Sequence, residues 1–287
     1  MKFYRAYVEL TNICGLACTF CPPKTTPNTT MSPELFESVL LQLTPYTKEI
    51  ACHVMGDPLT LSNLKSYLDL AHTHGFKVNL TTSGFLIGRH DHATLFHPAV
   101  RQLNISLNSY DKNSTRIALD DYLEPILALC RTKLTEAPEL FINLRLWNLD
   151  EPQSDAVYNR ELFARFDAYF GTAVTDHTGT EKASIRLDNR VLIHFDRYFR
   201  WPSLQDEIVG DGPCHGLISQ VGILADGRVV PCCLDGEGIM TLGNLARTPL
   251  AEILNTPRAC AIRDGFKASR AVEELCRRCH YKTRFQN

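Results

Sequence analysis

The chain has 287 residues, of which 44% are hydrophobic and 22% charged, with a formal net charge of -2. This is the balance of an ordinary soluble enzyme: no apolar run approaches the roughly 20 residues of a membrane span, and the charge offers no global attraction to nucleic acid. Eleven cysteines without a secretion signal in MKFYRAYVEL argue against a disulfide framework and for a reducing compartment, the cytoplasm, where thiols stay available to metal.

Residues 4–10, YRAYVEL, read as a first strand. Cys14, Cys18 and Cys21 follow it directly at x3 and x2 spacing. A cubic 4Fe-4S cluster takes one cysteine thiolate per iron, and the familiar run supplies four. Three nearby thiolates leave one iron open to another ligand. The plainer readings are three unconnected cysteines or half of a zinc site, although zinc ribbons prefer paired C-x2-C knuckles, in which Cys14 is superfluous. Ser32-Pro33-Glu34 then opens a helix, with Ser as N-cap and Pro in the first turn, and LFESVLLQL supplies its apolar face.

The second strand is EIACHVM, residues 49–55, running into Gly56-Asp57-Pro58-Leu59, and a helix covers 61–71. Residues 76–84 form a third strand that ends in Thr81, Thr82 and Ser83. Residues 100–109 form a fourth with Ser106 and Asn108 near its end, and a helix follows over 115–134. Residues 139–147 form a fifth, carrying Arg145 and leading to Asn148, before a helix over 160–169. The stretch 172–213 is irregular, with a sixth strand at RVLIHF, and its His177, His194, Asp196, Arg200 and Trp201 are the expected substrate-specific part. Strands alternating with helical segments are βα units feeding a parallel sheet. Six such units are too few for a closed eight-stranded barrel of about 250 residues. The expected fold is therefore α/β, a partial (β/α)6 TIM-like barrel over residues 1–213 followed by a small cysteine-rich iron-sulfur extension over 214–287.

Cys14, Cys18 and Cys21, with aromatic Phe20 before the last, resemble the CxxxCxΦC signature of the radical SAM superfamily. The resemblance implies an open (β/α)6 barrel and a 4Fe-4S cluster on these three thiolates, with S-adenosylmethionine (SAM) chelating the vacant iron. One electron then cleaves SAM to a 5′-deoxyadenosyl radical. Met55-Gly56-Asp57-Pro58 resembles the family's GGEP segment, which hydrogen-bonds the amino group of SAM. Met stands for the first Gly and Asp for the Glu, so a carbonyl acceptor, a flexible Gly and a carboxylate remain. A strand-terminating turn is the bland alternative. The same resemblance suggests that some of Thr82, Ser83, Ser106, Asn108 and Arg145 hold the ribose and the methionyl carboxylate.

Cys214, twelve residues, Gly227, four residues, Cys232, then LGNL, AEILNTPR and Cys276-x2-Cys279 resemble the SPASM extension of radical SAM enzymes, which binds auxiliary 4Fe-4S clusters. The full pattern continues with cysteines at x5 and x3, but here the x5 position is Phe285. Cys214, Cys232, Cys276 and Cys279 then suffice for one auxiliary cluster, as in the shorter twitch variants, and a four-cysteine zinc site fits the same ligands. Cys233 adjoins Cys232 and could substitute as ligand, but neighbouring side chains on extended backbone point oppositely, so only one of the two is expected to face the cluster. Cys52, Cys130 and Cys260 read as small buried residues, Cys260 having the alternative of a fifth ligand or a hydrogen-atom donor.

The expected function is a radical SAM enzyme that abstracts hydrogen from a peptide or protein side chain, with a reductant such as flavodoxin or ferredoxin as partner. The chain starts almost at its first strand, leaving no N-terminal domain for grasping a leader peptide, which weakens a leader-dependent reading. A small-molecule substrate is the alternative. So is RNA, on a tail from Arg258 to Arg284 with eight Lys/Arg against three Asp/Glu. A non-catalytic iron-sulfur or zinc protein is the alternative of another class.

Overall fold

The computed structural model describes residues 1–147, 151–176 and 183–285. Along the chain lie β1 (Arg5–Val8), α1 (Pro33–Leu43), β2 (Glu49–Ala51), α2 (Leu64–Thr73), β3 (Lys77–Thr82), α3 (His92–Leu95), β4 (Val100–Ser106), α4 (Asn108–Asp111), α5 (Leu119–Glu136), β5 (Phe141–Trp147), α6 (Ala156–Phe170), β6 (Ser184–Asp188) and β7 (Val191–Asp196). The cysteine-rich part adds β8 (Gln220–Ile223), β9 (Arg228–Val230), β10 (Gly243–Asn244), α7 (Leu250–Leu254), α8 (Pro257–Lys267) and α9 (Glu274–Arg277). These form an α/β fold with mostly parallel strand pairing. It is organised in two compact units, Met1–Gly15 with Cys21–Asn79 and Phe199–Asn287, and Leu16–Phe20 with Leu80–Tyr198.

In the first unit, β1 pairs in parallel with β2, and β2 with β3. The helix after the cysteine loop begins where its cap dictates: the Ser32 side chain accepts from the Leu35 amide at 3.1 Å and Pro33 occupies the first turn. Such a cap contributes about 1 kcal/mol. Phe36, Val39, Leu40 and Leu43 make the buried stripe of α1, and Ala6, Val8 and Ile50 line the sheet with no exposed surface. A fully buried side chain of this size stabilises by roughly 1.5–3 kcal/mol. The second strand is shorter than its apolar run suggests, because the chain leaves the ladder after Ala51 to enter the Met55–Asp57 turn.

The far side of β1 is taken by β8, parallel and in register from Arg5 opposite Gln220 to Val8 opposite Ile223. The cysteine-rich segment thus supplies a neighbour to the first strand. Gly227, at φ +85°, closes the antiparallel β8–β9 pair, and β10 continues it.

The second unit holds β4, β5 and β7 in parallel pairing, with β6 antiparallel to β7. RVLIHF forms a strand as expected, and β6 ahead of it is an additional strand that makes the pair a hairpin. Helices α5 and α6 present Leu123, Ile126, Leu162 and Phe166 to the core. No helix among the described residues is long and apolar enough to cross a membrane.

Candidate cofactor sites

Two loops of the first unit meet just beyond β1. Asn12 closes one of them: its Nδ2 donates to the Pro27 carbonyl at 2.9 Å and its Oδ1 accepts from the Thr29 amide at 2.8 Å. Gly15, at φ +78°, turns the chain immediately after Cys14, a conformation that costs glycine little. Cys14 is half-buried and Cys21 exposed. The second loop, Met55-Gly56-Asp57, is tied to the first by the Asp57 amide, which donates to the Ile13 carbonyl at 3.0 Å. The approach is tight enough that a Cβ on Gly56 would lie 2.0 Å from the Thr11 carbonyl oxygen. Asp57 is buried, and its Oδ1 accepts from the Leu59 amide at 3.0 Å, capping the turn Pro58–Thr60.

Glu9 lies behind this loop, and no motif singled it out. It is 2% exposed. Its Oε1 accepts from the Met55 amide at 2.8 Å and its Oε2 from the Ala225 amide at 3.2 Å. Burial pushes its carboxyl up to about 7, against the amides of Met55, Ala225 and Gly56, which favour the ionised form. Across a planar trans peptide the N–H and the preceding C=O point in opposite directions. Donation from Met55 and Gly56 to Glu9 therefore turns the carbonyls of Val54 and Met55 away from Glu9. Carbonyl oxygens so presented are acceptors for an ammonium group. The available sequence signal was a lone acid extending the Arg5, Tyr7 alternation of β1.

The second unit carries Cys18 and the polar strand ends. Cys18 is buried, with Sγ 3.9 Å from the Ser109 carbonyl oxygen, and Thr19 donates its amide to the Lys112 carbonyl at 2.9 Å. Phe20 meets Trp147 edge to face, ring centroids 5.2 Å apart. Thr82 and Ser83 are buried at the end of β3, where Thr82 Oγ1 accepts from the Gly84 amide at 3.2 Å and the Ser83 carbonyl accepts from the Tyr122 hydroxyl at 2.7 Å. Ser106 is directly opposite Arg145 in the β4–β5 register. Asn108 uses its Oδ1 on the Trp147 amide at 2.9 Å. Arg145 lies 3.5 Å from Asp196 and opposite His194. Burial, then the Arg145 charge, holds His194 below the usual histidine range against the pull of Asp196. Ser106, Asn108 and Arg145 thus share one edge, with Arg145 already engaged by a carboxylate. Asn148 and His177 lie outside the described residues.

The four late cysteines come together in the first unit. Burial raises each thiol first. For Cys232 the next influences are Cys214, Cys233 and Cys276, and for Cys276 they are Cys214 and Cys279, while Cys279 also acts on Cys214 after the Gly216 amide. Backbone amides of Gly216 and His215 donate to Cys214, that of Leu234 to Cys232, and those of Lys282 and Tyr281 to Cys279. Amide hydrogen bonds to sulfur are the setting that holds and tunes an iron-sulfur cluster, so this donor set fits such a group. Among the described residues no three His, Cys, Asp or Glu side chains are grouped as the shell of a single metal ion. Cys233 faces the Tyr7 hydroxyl and packs beside Val54. Cys52 and Cys130 are fully enclosed, their thiols pushed up to about 12 by burial, and Cys260 receives the Arg263 guanidinium at 3.2 Å.

Comparison with known proteins bears on both cysteine sets. The Radical SAM superfamily model matches residues 8–137, and the SPASM iron-sulfur cluster-binding domain matches residues 214–280. Among curated proteins nothing matches significantly. Similar solved structures include BtrN in complex with AdoMet and 2-DOIA, at 17% identity and TM-score 0.59 over 98% of this chain and 94% of that one. Streptococcus suis SuiB bound to precursor peptide SuiA is similar at 13% identity and TM-score 0.62, over 100% of this chain and 73% of that one. A structure of anSMEcpe with bound AdoMet and Cp18Cys peptide is similar at 16% identity and TM-score 0.54, over 96% and 86%. At these identities the likeness is one of fold.

Proposed function

The chain belongs to the radical SAM superfamily and carries a SPASM-type iron-sulfur domain, and we propose that Cys14, Cys18 and Cys21 hold its SAM-binding 4Fe-4S cluster while Cys214, Cys232, Cys276 and Cys279 hold one auxiliary cluster. When bound, the first cluster supplies the electron that cleaves SAM to a 5′-deoxyadenosyl radical, which takes hydrogen from the substrate. The protein supplies position. Glu9 fixes the Met55–Asp57 loop so that the Val54 and Met55 carbonyls accept from the SAM ammonium, and the Gly56 backbone lies flush against Thr11. Thr82, Ser83, Ser106, Asn108 and Arg145 are the polar groups for the ribose and the methionyl carboxylate, Arg145 being held straight by Asp196.

The substrate in this reading is a peptide or protein side chain. Support comes from SuiB and anSMEcpe, both similar in fold and both crystallised with peptides. The donor set around the late cysteines, four thiols of which Cys214, Cys232 and Cys279 have amides aimed at their sulfurs, carries the reading of an auxiliary cluster that handles electrons. A small-molecule substrate is favoured by a different observation: the match to BtrN, which holds 2-DOIA, spans nearly all of both chains, whereas SuiB extends well beyond the matched region. An isotope experiment separates the two. Reduced, reconstituted protein is given SAM and a deuterated cell extract split into macromolecular and small-molecule fractions. Deuterium in 5′-deoxyadenosine from the macromolecular fraction alone supports the peptide reading. Transfer only from the small-molecule fraction sinks it.

A further inference from the structure

Lys282 is 1% exposed, and a lysine is almost never fully buried without a partner for its charge. Its Nζ donates to the Cys279 carbonyl at 3.2 Å and reaches the Arg277 carbonyl at 3.5 Å. Burial pulls its ammonium below the usual lysine range, and the groups that favour the charged form against that pull are Cys279, Cys276 and Cys214, then Asp211. Neighbouring cations are arranged otherwise. Arg258 is paired with Glu273, Arg277 and Arg278 with Glu274, and Arg284 lies over the rings of Tyr281 and Phe199. Lys282 alone among these is enclosed and set against the sulfur ligands.

We infer that Lys282 is a potential-setting residue of the auxiliary cluster: its buried ammonium stabilises the reduced, more negative cluster and raises its reduction potential, making that cluster the better electron acceptor. The inference rests on the auxiliary-cluster reading above. Its physical basis is simple. Cluster potentials respond to net charge, hydrogen bonds to the sulfurs and solvent exposure, and a charge excluded from water acts through a lower effective dielectric than one at the surface. Reduction adds one electron and one negative charge to the cluster, so a fixed neighbouring cation favours that state.

The test uses the full chain with Cys14→Ala, Cys18→Ala and Cys21→Ala, so that only the auxiliary site can load. Iron content is measured first, then the midpoint by stepwise dithionite reduction followed by electron paramagnetic resonance. Lys282→Met and Lys282→Gln are expected to keep about four irons per chain, the stoichiometry of one cube, and to show lower midpoints, while Lys282→Arg stays near the parent. The Gln variant keeps a hydrogen-bond donor without the charge, so it separates charge from packing. Loaded Met and Gln variants with unmoved midpoints would overturn the inference alone. Loss of iron in both, with Arg retained, would overturn it in favour of a purely structural lysine. A parent that binds no iron would overturn the auxiliary-cluster reading and the inference with it.

Discussion

Replacing Gly56 by alanine should damage the protein for a steric reason alone. Gly56 is not in the left-handed region, so alanine can adopt its backbone angles. Its Cβ, however, would lie 2.0 Å from the Thr11 carbonyl oxygen, 2.7 Å from the Thr11 carbonyl carbon and 2.8 Å from the Asn12 carbonyl carbon. All three are backbone atoms and cannot swing aside. Restoring a contact of 3.0 Å, the lower limit for real Cβ atoms, requires the two loops to part by about 1 Å. Overpacking of this kind costs roughly 1–3 kcal/mol, and a 1 Å misplacement at a reacting centre costs about 10²-fold in rate. Urea unfolding of the apoprotein should show the stability loss, and calorimetric titration of the reconstituted protein should show weakened SAM binding. Gly88→Ala is the control, since the nearest heavy atom to its added Cβ is 3.9 Å away, and it should behave as the parent. If Gly56→Ala matched Gly88→Ala in stability, SAM affinity and SAM cleavage, the apposition of the two loops would carry no functional weight.

Other consequences are equally direct. Glu9 has its carboxyl pushed up to about 7 by burial from an ordinary value of 4.5, so the folded state holds the proton longer than the unfolded state. Its contribution is then fully present below about 4.5 and lost as pH rises through about 7, up to roughly 3 kcal/mol at 1.36 kcal/mol per unit. Urea midpoints between pH 4.5 and 8 should decline for the parent relative to Glu9→Gln; parallel profiles would contradict the assignment. Cys232→Ala should lose about four irons on reconstitution, whereas Cys233→Ala, whose thiol faces Tyr7, should retain them. Equal losses in both would contradict the orientation of this pair.

Much of this architecture is local and therefore legible in the sequence. Ser32-Pro33 marks the start of α1 because a cap hydroxyl and a proline in the first turn act within a few residues. The cysteine spacing works in the same way. The β6–β7 hairpin escaped because its turn places the positive φ on Arg190, a residue that carries no turn signal, and its register is broken between Arg186 and Asp188. The pairing of β1 with β8 joins residues more than two hundred positions apart, and no local pattern encodes such a neighbour. Glu9 was invisible for a related reason: its role depends on the amides of Met55 and Ala225, distant in sequence and brought together only by the fold. Asp57 reads as a ligand carboxylate from its motif, and in the fold its Oδ1 also caps the turn that follows, a local role the motif does not announce.

The central claim is that Cys14, Cys18 and Cys21 support reductive cleavage of SAM. Anaerobically reconstituted, dithionite-reduced protein should release 5′-deoxyadenosine from SAM, and Cys14→Ala reconstituted in parallel should release none. A well-loaded, reduced parent that leaves SAM intact, or a Cys14→Ala variant that cleaves it at the parental rate, would contradict the account.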